Sequence, residues 1–368
     1  MKKKLGAILL VVAVVVIALG IWRPWEGHGT SGDPYAGKSL TTVRGVIGSE
    51  KRDFFNDSRV QQVFADHGLK VDVSTAGSRE IATTTDLSEL DFAFPSSAPA
   101  AQKIIEKTGA HNTYDPFSSP MVVFTWKPVA DLLQRNGVMS TASDGSLQLD
   151  VEAYLGLVAK DARWRDLDGA AELYNSPRSV MIGSTDIRTS NSAAMYMDIV
   201  SYQLNGASVV TADDQLTKIT PTLRRLFVGQ GYSASSSDEP FKDYLTQGVG
   251  SKPMVVGYEA QYVGTRVNTP DAVPQEAVMA YLSPTVYSKH VVVPLTDEGD
   301  QIGRLLAEDG TLRSLAVEHG FRTDGSGLAD LARDRGIPGV QRDIINVADT
   351  PSFDMTERMI AAIEEGYK

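Results

Sequence analysis

Residues 41–79 read TTVRGVIGSEKRDFFNDSRVQQVFADHGLKVDVSTAGSR, and the order of patterns in this stretch decides the fold class. TTVRGVI is a β-branched, apolar run of strand type. EKRDFFNDSRVQQVFADHG then carries its apolar residues at helical spacing and ends on a glycine, and LKVDVST returns to period two. The order is β-α-β. Each strand runs straight into a polar loop, GSEK at 48–51 and AGSR at 76–79.

The alternation continues outward. SREIATTTDLSEL reads as a short helix, LDFAFPSS as a third strand and APAAQKIIEKTG as a helix. PMVVFTWKP is a further apolar strand that opens a second unit, in which the strands RSVMIGST and KPMVVGYE alternate with helical segments. A last section holds AVMAYLSP, the strand HVVVPLT and two helices. Strands interleaved with helices imply an α/β fold with a mostly parallel sheet covered on both faces, whose ligand crevice lies at the carboxyl ends of the strands.

The chain has 368 residues, 42% of them hydrophobic and 22% charged, enough for two lobes with real cores. Its first residues differ. Three lysines precede an unbroken apolar run from Leu5 to Trp22, which at 1.5 Å per residue reaches about 27 Å, close to a bilayer's hydrocarbon thickness. That length favours a retained membrane helix over a cleaved leader, and the lysines place everything beyond Trp25 outside the cell. Residues 26–40 are rich in glycine and read as a spacer.

No cysteine is present, so neither a lipid-modified cysteine nor a disulfide is available. The formal net charge of −11 argues against nucleic acid as a partner. Nucleotide-binding, nucleophile-elbow and zinc-protease motifs are absent. The five histidines are scattered and are expected at the surface or at helix ends, so neither a metal site nor a cofactor is expected.

What remains is a set of polar clusters, each directly after a predicted strand: Ser49 with Glu50, Ser78 with Arg79, Ser96 with Ser97, then Asp186, Arg188, Ser190, Asn191 and Ser192, and finally Tyr258 with Glu259. A helix start offers free N–H groups and a partial positive charge, and arginine adds a planar fork for an oxyanion. The plainer readings are that Ser97 and Ser192 are helix caps, that Arg79 and Arg188 pair with Glu80 and Asp186, and that Tyr258 and Glu259 pack at a strand end.

These elements, with WRDL at 164–167 and TDIRTSNSA before a helix, resemble the extracellular solute-binding proteins of the type II periplasmic-binding-protein fold, over about 41–322. The resemblance implies a two-lobed clamp with a ligand cleft between the lobes, preceded here by a single N-terminal membrane helix at 1–25. Lobe one is expected from 41–120 and 284–368, and lobe two from 121–283. Carried across, Ser49, Glu50, Ser78, Arg79, Ser96 and Ser97 line one wall. Asp186, Arg188, Ser190, Asn191, Ser192, Tyr258 and Glu259 line the other.

The function implied is a membrane-anchored, extracytoplasmic, non-enzymatic receptor for a small polar or anionic solute, serving transport or sensing. Its partners are that solute, the membrane, and an ABC transporter permease or another envelope protein. The alternative is an envelope interaction or assembly protein that keeps the fold without a ligand. An enzyme using Glu50 or Glu259 as general base is a third reading. The tail beyond Arg322 is not accounted for by the resemblance.

Overall fold

The computed structural model describes residues 34–35, 39–231, 234–323 and 325–367. The expected membrane helix lies outside them. Among the described residues no helix is long and apolar enough to cross a membrane.

The strands are β1 (Thr41–Ile47), β2 (Leu69–Thr75), β3 (Phe92–Phe94), β4 (Tyr114–Trp126), β5 (Met139–Thr141), β6 (Leu147–Asp150), β7 (Met254–Tyr258), β8 (Ala277–Ser283) and β9 (Tyr287–Pro294). Between β1 and β4 lie α1 (Arg52–Asn56), α2 (Ser58–Asp66), α3 (Ser78–Thr83) and α4 (Ala98–Thr108). The middle section adds α5 (Lys127–Arg135), α6 (Val151–Ala159), α7 (Ala170–Leu173), α8 (Asn191–Leu204), α9 (Asp213–Val228), α10 (Asp238–Gln247) and α11 (Glu259–Asn268). The final section holds α12 (Asp297–Glu308), α13 (Gly310–Glu318), α14 (Gly327–Asp334) and α15 (Phe353–Glu364).

The sheet order is β2-β1-β3-β9-β4-β8-β6-β5, with β7 also on β4. β1 pairs parallel with β2 and β3, as the β-α-β order requires, because a helix between two strands returns the chain to the same end of the sheet. The expectation of a mostly parallel sheet is corrected further on. β3–β9, β4–β9, β4–β7, β4–β8 and β5–β6 are antiparallel, and only β6–β8 joins the parallel pairs. The cause is the two long central strands. β4 pairs with β9 along its first half and with β7 and β8 along its second, and β8 and β9 bring the chain back beside it.

Two further expectations are corrected here. RSVMIGST forms no continuous strand: Ser179 makes a single antiparallel bridge to Arg163, Gly183 a single parallel bridge to Val255, and the rest is irregular. His290, expected at the surface, is fully buried on β9.

Apolar side chains gather around the two ends of this sheet. Val43, Ile47, Phe54, Phe92 and Ile302 lie on one face of the first end, and Val46, Ile81, Ala93 and Ile104 on the other. A larger core surrounds the second half of β4 and takes in α5, α6, α8, α9 and β7. The last stretch of chain, expected in lobe one, adds Ile337, Met355, Met359, Ile360 and Ile363 to this larger core, because α15 lays its apolar face on α8 and α9.

Candidate functional site

A cavity of about 640 Å³ opens where the loops after β1, β2 and β3 meet the loops before α8 and α10. Short loops running directly from strand into helix put hydroxyls and free N–H groups at this edge. Ser49, Glu50, Ser78 and Ser96 form the first wall. Ser190, Asn191, Ser192 and Tyr258 form the second, together with 235–238, a Ser-Ser-Ser-Asp run. Eight of the thirteen expected residues therefore share one cavity.

The walls touch. Ser49 Oγ lies 3.0 Å from Ser236 Oγ, and Asn191 Nδ2 donates to the Ser96 carbonyl at 3.3 Å. Gly77 explains the glycine of the AGSR loop, since a Cβ there would sit 2.9 Å from the Thr189 carbonyl oxygen. Within the second wall, Ser192 Oγ lies 2.8 Å from Thr185 Oγ1 and 2.9 Å from Ser190 Oγ, all three residues being buried. Tyr258 is buried, and its hydroxyl points at Met195 Sδ, 3.8 Å away.

Beneath the first wall lies a charged network. The Lys51 ammonium is fully buried and donates to Glu50 Oε1 at 2.7 Å, to Ser96 Oγ at 2.5 Å and to His290 Nδ1 at 3.0 Å. It also sits 4.7 Å from the centre of the Phe94 ring. His290 Nε2 meets Ser288 Oγ at 3.2 Å, and that hydroxyl donates to the Ser96 carbonyl. Burial, then the Lys51 charge, push the imidazole well below its usual pKa, so it is neutral and accepts from lysine. Burial would raise the Glu50 carboxyl. The Lys51 charge, and hydrogen bonds from Lys51 and Ser96, outweigh it and hold the pKa at about 2. Glu50 is an ionised acceptor in the cavity wall, while Asp238 opposite is raised by burial and by the Glu50 charge.

Five expected residues do not join the lining, each for a visible reason. Arg79 turns away into a two-pronged ion pair with Glu357, at 2.5 and 2.7 Å. Arg188 folds back onto Asp186, which it meets at 2.5 Å, and lies over the Tyr367 ring, so Asp186 is engaged as well. Ser97 caps α4, accepting from the Ala100 N–H. Glu259 is fully buried and takes Arg322 at 2.5 and 2.8 Å along with the Tyr281 hydroxyl. That pairing also removes Glu259 as a candidate general base.

The sequence reading missed 235–238 and the roles of Lys51 and His290. The serine run before Pro240 was a visible signal, but it follows no strand. Lys51 and His290 are 239 residues apart, and the β1–β3 and β3–β9 pairings together bring them side by side.

No protein-family model and no curated protein matches the sequence. Solved structures do match the fold. The periplasmic thiamin binding protein superposes with a TM-score of 0.57 at 11% identity, over 92% of this chain and 100% of that one. The substrate binding protein of the ABC transporter from Agrobacterium tumefaciens gives 0.55 at 13%, over 91% and 97%. The sulfate-binding protein SubI from Mycobacterium tuberculosis H37Rv gives 0.50 at 14%, over 81% and 93%. At such identities the likeness is one of fold, and it agrees with the type II periplasmic-binding-protein fold expected from the residues.

Proposed function

We propose that this chain is a non-enzymatic, extracytoplasmic receptor that captures a small polar solute between two lobes, 41–120 with 284–322, and 121–283 with the C-terminal helix at 353–364 packed on it. The observation that carries the reading is the cavity itself, closed in by two walls of hydroxyls, an amide and carboxylates on a fold shared with solute-binding proteins. The helix at 5–22 would tether it to the membrane, and a transporter permease or another envelope protein would receive the solute.

The chemistry of the walls narrows the solute. With Arg79 and Arg188 committed elsewhere, an anionic group would depend on serine hydroxyls, on N–H groups at the start of α8 and on Arg52 and Lys242, the two cationic side chains of the lining. Glu50 offers only acceptors, so the solute should bring a hydrogen-bond donor to it. Compounds that combine both features, amino acids and hydrogen phosphates among them, head the panel to be tried.

The test is a melting scan of the full chain in detergent against amino acids, oxyanions, amines and sugars. A compound at a hundredfold excess over its Kd stabilises the folded form by about 2.7 kcal/mol, a readily visible shift. Ser78→Ala with Asn191→Ala should abolish the shift. If no compound moves the parent chain, the receptor reading fails and the envelope-interaction reading replaces it.

A further inference from the structure

Among the described residues, none beyond Arg322 lines the cavity, yet this last stretch reaches both walls. Met355, Met359, Ile360 and Ile363 fix α15 to the large core beside α8 and α9. At the start of the same helix Phe353 packs on the opposite core, the one built around Ile81 and Ile104. One turn further along, Glu357 grips Arg79 with both carboxylate oxygens.

Arg79 is the second residue of α3 and follows Ser78 of the first wall. Its remaining nitrogen, Nη1, donates to the Arg188 carbonyl at 2.5 Å, in the loop that leads to Ser190 and Asn191 of the second wall. One guanidinium thus ties the first wall to the tail and to the second wall together. Glu357 rides on a helix anchored in the second wall's core. Any separation of the walls must therefore pull Arg79 away from both acceptors at once.

We propose that the C-terminal helix is an intramolecular clasp that holds the two walls of the cavity together, with Arg79 and Glu357 as its catch. The pair is two-pronged, and the two side chains are only 16% and 32% exposed, so water competes for it less than for a free surface pair. A consequence for solute release rests on the receptor reading above. The effect on wall separation does not.

The absence of cysteine makes the test clean. Spin labels at Asp53→Cys on α1 and Thr246→Cys on α10, both exposed, report the distance across the mouth in the full chain in detergent, with no solute added. Glu357→Gln should enlarge the long-distance population about tenfold relative to the short one, the scale of losing charge-assisted hydrogen bonds. Asp213→Asn, which removes an exposed partner of Arg358 on the same helix, should leave the distribution as it was. The swapped pair Arg79→Glu with Glu357→Arg should restore the short distance, which separates loss of the catch from loss of folding. An unchanged distribution in folded Glu357→Gln overturns the clasp even where a solute binds. A widened one that the swap reverses supports it even where none does.

Discussion

At the scale of single residues the cavity wall depends on where charge is held. Glu50 ordinarily titrates at 4.5 and is held at about 2, a difference worth about 3 kcal/mol. Its folded pKa is depressed, so the stabilisation is fully present above pH 4.5 and is lost as pH falls from there towards 2. Urea unfolding at pH 5 and at pH 2.5 should show the parent losing about 2–3 kcal/mol more than Glu50→Gln does. Equal losses would mean that Lys51 does not hold the carboxylate in its ionised form. Glu259 makes a second case. Removing its charge strands the Arg322 guanidinium, so Glu259→Gln should cost about 3–5 kcal/mol, and Arg322→Met in the same chain should recover most of it. The sequence showed that Arg79, Arg188 and Glu259 were special without showing why. The partner of Arg79 lies 278 residues away and that of Glu259 lies 63 away, and no local pattern connects them.

Elements were legible where periodicity was strong and hidden where a neighbour decided. The β-α-β opening and β9 follow from their patterns, because alternating or continuous apolar runs leave few other ways to bury them. RSVMIGST looks equally strand-like, yet it bridges β7 only through Gly183. Helix α12 shows a constraint that propensity gets backwards. Gly299 and Gly303 lie one turn apart, and a Cβ on the first would fall 1.8 Å from the Asp91 carbonyl oxygen, on the second 2.2 Å from the Tyr114 ring. Alanine ordinarily improves a helix position by about 1 kcal/mol over glycine, whereas overfilling a packed contact costs roughly 1–3 kcal/mol. Because the obstacle at Gly299 is backbone, Gly299→Ala should lower the melting temperature. Gly310→Ala, at the start of α13 with nothing within 4 Å of the added carbon, should hold or raise it.

For the whole molecule the question is whether two cores behave as one. The tail could not be placed from sequence because its apolar face is amphipathic in a way that fits either core; only α8 and α9 settle it, by offering the complementary surface. With α15 in place, several of the described segments run from one core to the other, among them β4, the β8–β9 return, α11 with Ala260 in one core and Tyr262 and Val263 in the other, and the C-terminal helix with Phe353 at its start. Unfolding either core alone would tear ladder hydrogen bonds from β4 or β9 and expose one face of α15, so an intermediate with a single intact core pays for broken contacts in both. We therefore expect one cooperative transition. With Trp22 and Trp25 replaced by Phe, the remaining tryptophans allow a direct check, because Trp126 and Trp164 both sit in the large core, whereas far-ultraviolet dichroism reports helices and strands throughout. Urea curves from fluorescence and from dichroism should coincide in midpoint and slope, and the calorimetric and van't Hoff enthalpies should agree. A fluorescence midpoint displaced from that of dichroism would show that the core around Val43 and Phe92 unfolds on its own, and that the shared strands act as a hinge with no cooperative link between the cores.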